Sequence, residues 1–135
     1  MLGVDSNILL RYITGDDPEQ SELARQTIDR AAATGELLHI CIPVLCELTW
    51  VLRSKPYAYG RNEIADTIEL LLEVDILDVE ARDTVRTALR DFRAGSADFA
   101  DYLIGRMNRS AGCRTTLTFD VAAAASPDLF EVAKA

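Results

Sequence analysis

Four places in the chain set acids where they invite chemistry. Asp5 and Asp120 each follow a short apolar run, Leu2-Gly3-Val4 and Thr116-Leu117-Thr118-Phe119. Glu47 is the only charge from Ile40 to Leu52, and Asp98 and Asp101 stand three positions apart. Carboxylates concentrated in one pocket can take a divalent cation, which reverses the local sign and becomes the contact with phosphate. That route matters here because the net charge of −8 argues against passive attraction to nucleic acid, whose electrostatic footprint is usually a basic surface.

Each acid also has a plainer reading. Taking an ionised group out of water costs several kcal/mol without compensation, so Glu47 needs an exposed helix face, an arginine partner or a metal. Asp98 and Asp101 share one face of a helix near its start, where like charges repel. Acids at a helix start are commonly caps and dipole partners, worth a few tenths to about 1 kcal/mol each. At both places the structural and the functional readings stay open.

The elements that must position these acids alternate. Leu2-Gly3-Val4 reads as a strand, followed by Asp5-Ser6-Asn7 with polar capping types and a helix from Ile8 to Tyr12. A helix runs from Pro18 to Ala33 and closes at Gly35, a strand spans Leu37 to Ile42, and Pro43 opens a helix to about Arg53. Asn62 to Leu72 reads as a helix, Val74 to Val79 as a strand and Ala81 to Arg93 as a helix. Ser96 or Asp98 caps a helix reaching about Ser110, Thr115 to Phe119 is a strand, and a short helix at Val121 to Ala125 precedes a last strand near Leu129 to Val132. Short apolar strands between longer helices predict a parallel sheet covered on both faces, with ligands at the carboxyl edge of the strands. Asp5 and Asp120 reach the same rim if their strands are neighbours.

A chain of 135 residues has room for one domain, 1–135, with a core that needs no disulfide. With 49% hydrophobic and 27% charged residues it is too apolar to be disordered. Cys41, Cys46 and Cys113 lack the paired spacings of a zinc site or disulfide framework and read as reduced core residues. No apolar run reaches membrane-spanning length, and Met1 leads straight into Leu2-Gly3-Val4-Asp5 without a basic segment, so a cytoplasmic location is expected and no membrane contact.

Taken in order, Asp5-Ser6-Asn7 after the first strand, the isolated Glu47, Asp101-Tyr102-Leu103-Ile104 and Thr118-Phe119-Asp120 resemble the PIN-domain ribonucleases. The run Ala97-Asp98-Phe99-Ala100-Asp101 resembles in particular the VapC toxins of bacterial toxin–antitoxin pairs. The resemblance spans the chain from Val4 past Asp120, and it is the ordered set that is specific, not any single motif. It implies a three-layer α/β/α fold with a short, mainly parallel sheet. It implies Asp5, Glu47, Asp101 and Asp120 as the catalytic, metal-holding quartet, with Asn7 and Thr118 orienting carboxylates or phosphate by hydrogen bonding. Asp98 is either a fifth ligand through water or a helix cap. Tyr102, Gly105 and Arg106 depart from the pattern, since small residues, often alanines, are usual after that aspartate.

The implied activity is Mg2+- or Mn2+-dependent hydrolysis of RNA phosphodiester bonds, and hard divalent cations do prefer oxygen ligands. The implied partners are an RNA substrate such as tRNA, a VapB-type antitoxin and a second copy in a homodimer, with translation as the target. Substrate contact must come from arginine, of which there are twelve against two lysines, Lys55 and Lys134. Arg11, Arg106 and Arg109 are the candidates for the pocket rim by sequence proximity. Arg82, Arg86, Arg90 and Arg93 recur at helical spacing, but Asp78, Asp83 and Asp91 near them favour an ion-paired face over an RNA-binding stripe. His39, in an apolar strand, is expected to be structural. A haloacid-dehalogenase-like phosphohydrolase fits less well, because that chemistry wants a second acid where Asn7 stands; a catalytically inactive PIN-like module that binds RNA or protein is the non-enzymatic alternative.

Overall fold

The computed structural model describes residues 1–135. All five strands and seven helices anticipated above are present, with ends displaced by a few residues at most. The chain forms two compact units, Met1–Arg82 and Asp83–Ala135.

The first unit contains β1 (Leu2–Gly3), α1 (Ser6–Thr14), α2 (Pro18–Thr34), β2 (Leu38–Ile40), α3 (Ile42–Arg53), α4 (Arg61–Glu73) and β3 (Leu77–Val79). Its strands form a parallel ladder in the order β1-β2-β3, with Leu2 opposite Leu38 and His39 opposite Asp78. Parallel neighbours need crossovers of a dozen residues or more, and the helices between successive strands supply them. Side chains alternate along β2 and β3: Leu38, Ile40, Leu77 and Val79 are buried, while on the opposite face His39 Nδ1 lies 2.7 Å from Asp78 Oδ2. The only histidine thus ties two strands together.

Local signals explain where the first helices begin and end. Asp5 caps α1 by accepting from the Ile8 N–H at 3.1 Å, and Asp17 caps α2 through the Gln20 N–H at 3.0 Å. Gly35 closes α2 in the left-handed region at φ 75°, where a side chain is strained. The inward face of α1 is Ser6, Leu9 and Leu10. Leu9, Leu38, Leu45, Leu52, Leu71 and Leu77 are fully removed from solvent, each worth roughly 1.5–3 kcal/mol of burial.

The second unit contains α5, whose span is Arg82–Ala94, then α6 (Phe99–Ser110), β4 (Thr116–Thr118), α7 (Val121–Ala124) and β5 (Phe130–Val132). Helix α5 buries Val85, Ala88, Leu89 and Phe92, one stripe at helical spacing, and Phe92 meets Phe99 edge to face at 6.0 Å. β4 pairs in parallel with β5.

This unit also accounts for two departures in the run after Asp101. A Cβ on Gly105 would stand 2.8 Å from Phe130 Cζ, so the helix position must be bare for the phenyl ring to seat. Tyr102 is fully buried, and its hydroxyl lies where a Cβ on Gly95 would be, 1.8 Å away. A large residue at 102 is matched by none at 95.

Several expectations need correction. The strands preceding Asp5 and Asp120 do not pair: β1 bonds to β2, and β4 to β5. The cysteines are free thiols, but Cys113 is exposed and Cys41 and Cys46 are only half-buried; burial pushes the Cys46 thiol up. Asp78 and Asp91, expected to pair with the arginines of α5, have other partners. Arg82 donates to the Leu72 carbonyl and, at 2.7 Å, to the Leu77 carbonyl, Asp78 faces His39, and Asp91 takes a two-pronged bond from Arg106.

Candidate functional site

In the first unit the turn from β1 into α1 and the outer face of α3 bring candidate groups together. Asp5, Asn7 and Arg11 line a cleft of about 620 Å³ with Gly3, Val4, Ile8, Gln20, Leu23 and Ala24. Asp5 is exposed, and the cap uses Oδ1 only, so Oδ2 is left for a ligand.

Glu47 lies on an exposed helix face, one of the readings left open for it. It is exposed rather than sunk in the apolar body of α3, because the buried side of that helix is Leu45, Leu48, Thr49 and Leu52. No arginine reaches it. Its Oε1 instead accepts a hydrogen bond from the Ser6 hydroxyl, which joins the acid of α3 to the residue beside Asp5. Ser6 is the residue the sequence reading overlooked. The signal was there, since helical spacing sets position 6 with Leu9 and Leu10 on the inward face, where a polar side chain needs a partner.

Arg11 is held from several sides. Nε donates to Gln20 Oε1 at 2.8 Å, and Nη1 to Asp16 Oδ1 at 2.9 Å and the Tyr57 hydroxyl oxygen at 3.3 Å. Asp16 in turn accepts from the Tyr57 hydroxyl at 2.5 Å and from Thr14 at 2.7 Å. The Tyr57 hydroxyl above all, then Thr14 and Arg11, holds the Asp16 carboxyl down to about 2. The hydrogen bond to Asp16 chiefly raises Arg11, which stays a fixed cation at the cleft wall with Nη2 uncommitted.

In the second unit the remaining acids sit at helix starts. Asp98 and Asp101 form a capping box at the head of α6, the Asp101 carboxylate accepting from the Asp98 N–H at 3.2 Å. Asp98 thus occupies the N-cap position of α6. Asp120 caps α7, with Oδ1 accepting from Ala122 N–H at 2.8 Å and Ala123 N–H at 3.1 Å. Thr118 Oγ1 accepts from the Asp120 N–H at 2.9 Å and so fixes the backbone at Asp120. Arg106 is spent on Asp91, at 2.6 and 2.8 Å, and is not a free rim group; Arg109 is exposed near the end of α6.

Asp5, Asn7, Arg11 and Glu47 thus belong to one unit, and Asp98, Asp101, Thr118 and Asp120 to the other. Within neither unit are three His, Cys, Asp or Glu side chains grouped to hold a metal. The donor chemistry nonetheless fits a hard divalent cation, being oxygen throughout. Asp5 Oδ2, Glu47 Oε2 and Asp120 Oδ2 carry no hydrogen bond, while the other oxygen of each is anchored. A carboxylate anchored through one oxygen is pre-oriented to offer the other.

No helix is long and apolar enough to cross a membrane. The PIN domain profile matches residues 3–125, across both units. The chain is 24% identical over 116 residues to the VapC ribonuclease of Aquifex aeolicus (strain VF5), covering 86% of this chain and 84% of that protein. The largely helical chain with short parallel strands accords with the three-layer α/β/α PIN-like class. By the extent of the profile match, the chain belongs to the PIN-domain family.

Proposed function

We propose that the chain is a single PIN domain acting as a metal-dependent endoribonuclease, the toxin of a VapBC-type pair that inhibits translation. The observation that carries the reading is the head of α1 inside a PIN-family chain: Asp5 with one free oxygen, Asn7 and Arg11 on one cleft, and Glu47 bonded to the neighbouring Ser6. Likeness to a VapC ribonuclease supports RNA as the substrate and a VapB-type antitoxin as the partner; a structured RNA such as tRNA as the target and a homodimer as the working unit are part of the proposal.

Asp5, Glu47, Asp101 and Asp120 are the residues assigned to Mg2+ or Mn2+. A bound cation of this kind supplies charge neutralisation at phosphate and a water of lowered pKa. This chain's residues do the rest. Asp5 and Asp120 keep Oδ1 on helix N–H groups and so hold their carboxylates still; Asn7 and Arg11 offer N–H donors to a phosphate in the cleft, Arg11 through the uncommitted Nη2. Asp98 keeps the start of α6 in register under Asp101.

Purified protein incubated with total cellular RNA and Mg2+, Mn2+ or EDTA tests the reading, with Asp5→Asn and Asp101→Asn in parallel. Metal-dependent cleavage lost in both variants supports it. Cleavage surviving both substitutions rules the carboxylate mechanism out. Induction of the chain alone in a host cell tests the toxin assignment, and unimpaired growth counts against it.

A further inference from the structure

We propose that Ser6 is a positioning residue for the metal-holding carboxylate of Glu47, an assignment that rests on the carboxylate–metal reading above. Three polar side chains are buried in the chain: Ser6, Thr49 and Thr67. Thr49 bonds to the Cys46 carbonyl and Thr67 to the Glu63 carbonyl, each within its own helix. That is the ordinary way for a helical hydroxyl to be satisfied. Ser6 alone donates to a side chain on another element, Oε1 of Glu47, across 41 residues of sequence.

The bond is not needed to start α1. Asp5 is the cap, with its Oδ1 on the Ile8 N–H, and Ser6 is the first helical residue. Nor does Glu47 need Ser6 for solvation, since it lies on the exposed side of α3. What the bond does is remove the rotational freedom that an exposed glutamate otherwise keeps, and commit Oε1 so that Oε2 is the oxygen offered. A glutamate side chain loses rotamer freedom when it is fixed, which opposes whatever fixes it. Ser6 imposes that loss in the folded protein before a ligand arrives, so a cation binding Glu47 does not bear it. Partners of this kind behind a metal ligand typically change metal affinity by 10- to 100-fold.

The experiment titrates the full chain with Mn2+ by isothermal calorimetry, with thermal unfolding and RNA cleavage measured on the same preparations. Wild type is compared with Ser6→Ala, Ser6→Thr, Glu47→Gln, Asp5→Asn and the double variant Ser6→Ala/Glu47→Gln. The expected result is that Ser6→Ala weakens Mn2+ about tenfold, that Ser6→Thr, which keeps the hydroxyl, restores most of the affinity, and that Ser6→Ala weakens Mn2+ no further once Glu47→Gln is present. Should the alanine variant fail to fold, Ser6→Cys carries the test, because it keeps the volume with a weaker donor. Wild-type affinity in Ser6→Ala, with Asp5→Asn clearly weakened, overturns this assignment alone. Absence of Mn2+ binding by wild type overturns the metal reading and this assignment with it.

Discussion

The Ser6 hydroxyl on α1 donates to Glu47 Oε1 on α3, tying an acid from the middle of the first unit to the residue that follows Asp5 in the chain. This contact gives Glu47 a purpose that its exposed position would otherwise not require.

Glu47→Gln keeps an oxygen that Ser6 can bond to but removes the charge. Metal-dependent RNA cleavage is expected to fall about 100-fold or more, equal to about 3 kcal/mol of lost transition-state stabilisation, with the melting temperature nearly unchanged. Single-turnover cleavage beside a thermal melt decides it; retention of full activity would remove Glu47 from the catalytic set.

Arg11→Lys replaces a planar fork by a point charge that cannot serve Gln20, Asp16 and Tyr57 together. The expected outcome is a KM for RNA raised roughly tenfold, the equivalent of one charge-assisted hydrogen bond, with kcat little altered. A drop in kcat at unchanged KM would show that Arg11 acts on the reacting centre instead.

Asp16 titrates low, at about 2, because its charged form accepts from Tyr57, Thr14 and Arg11. A carboxyl whose folded value is depressed contributes stability that is present above its unfolded value, near 3.8, and is lost as pH falls through the folded value. Acid unfolding should therefore gain a component between those two values. In Tyr57→Phe the Asp16 carboxyl carbon, followed by NMR, should titrate nearer 3.8, and an unmoved titration would refute the assigned cause.

Gly105→Ala forces a methyl to within 2.8 Å of Phe130 Cζ. Overpacking of this kind costs roughly 1–3 kcal/mol, and urea unfolding of the second unit's core is the measurement. Adding Phe130→Leu, which vacates the ring position, should recover part of the loss. A neutral Gly105→Ala would mean that the ring has room to move.

The elements were legible in the sequence because each was encoded within a few residues of itself. Asp5 and Asp17 before α1 and α2, Pro18 in the first turn and Gly35 at the end are all local choices of backbone geometry. The stripe Val85, Ala88, Leu89 and Phe92 needed only the helical period. The candidate acids were legible for a related reason, as charges standing alone in apolar surroundings or at junctions. Glu47 shows the limit of that signal. Its neighbours in sequence are apolar, yet it points outward, because solvent exposure follows the angular position on α3 and not the average composition around it.

By itself, then, the sequence determined the order of strands and helices, the family and the chemical inventory of acids and arginines. Only the tertiary structure decided which of these residues meet. Ser6 finds Glu47 across 41 residues and Arg11 finds Tyr57 across 46, while Arg106 is drawn from the candidate rim to Asp91. Strand pairing was decided in the same way, with β1 on β2 and β4 on β5. Contacts of this sort depend on how separately formed helices and strands dock their buried faces, and no periodicity or capping pattern in either partner specifies the other.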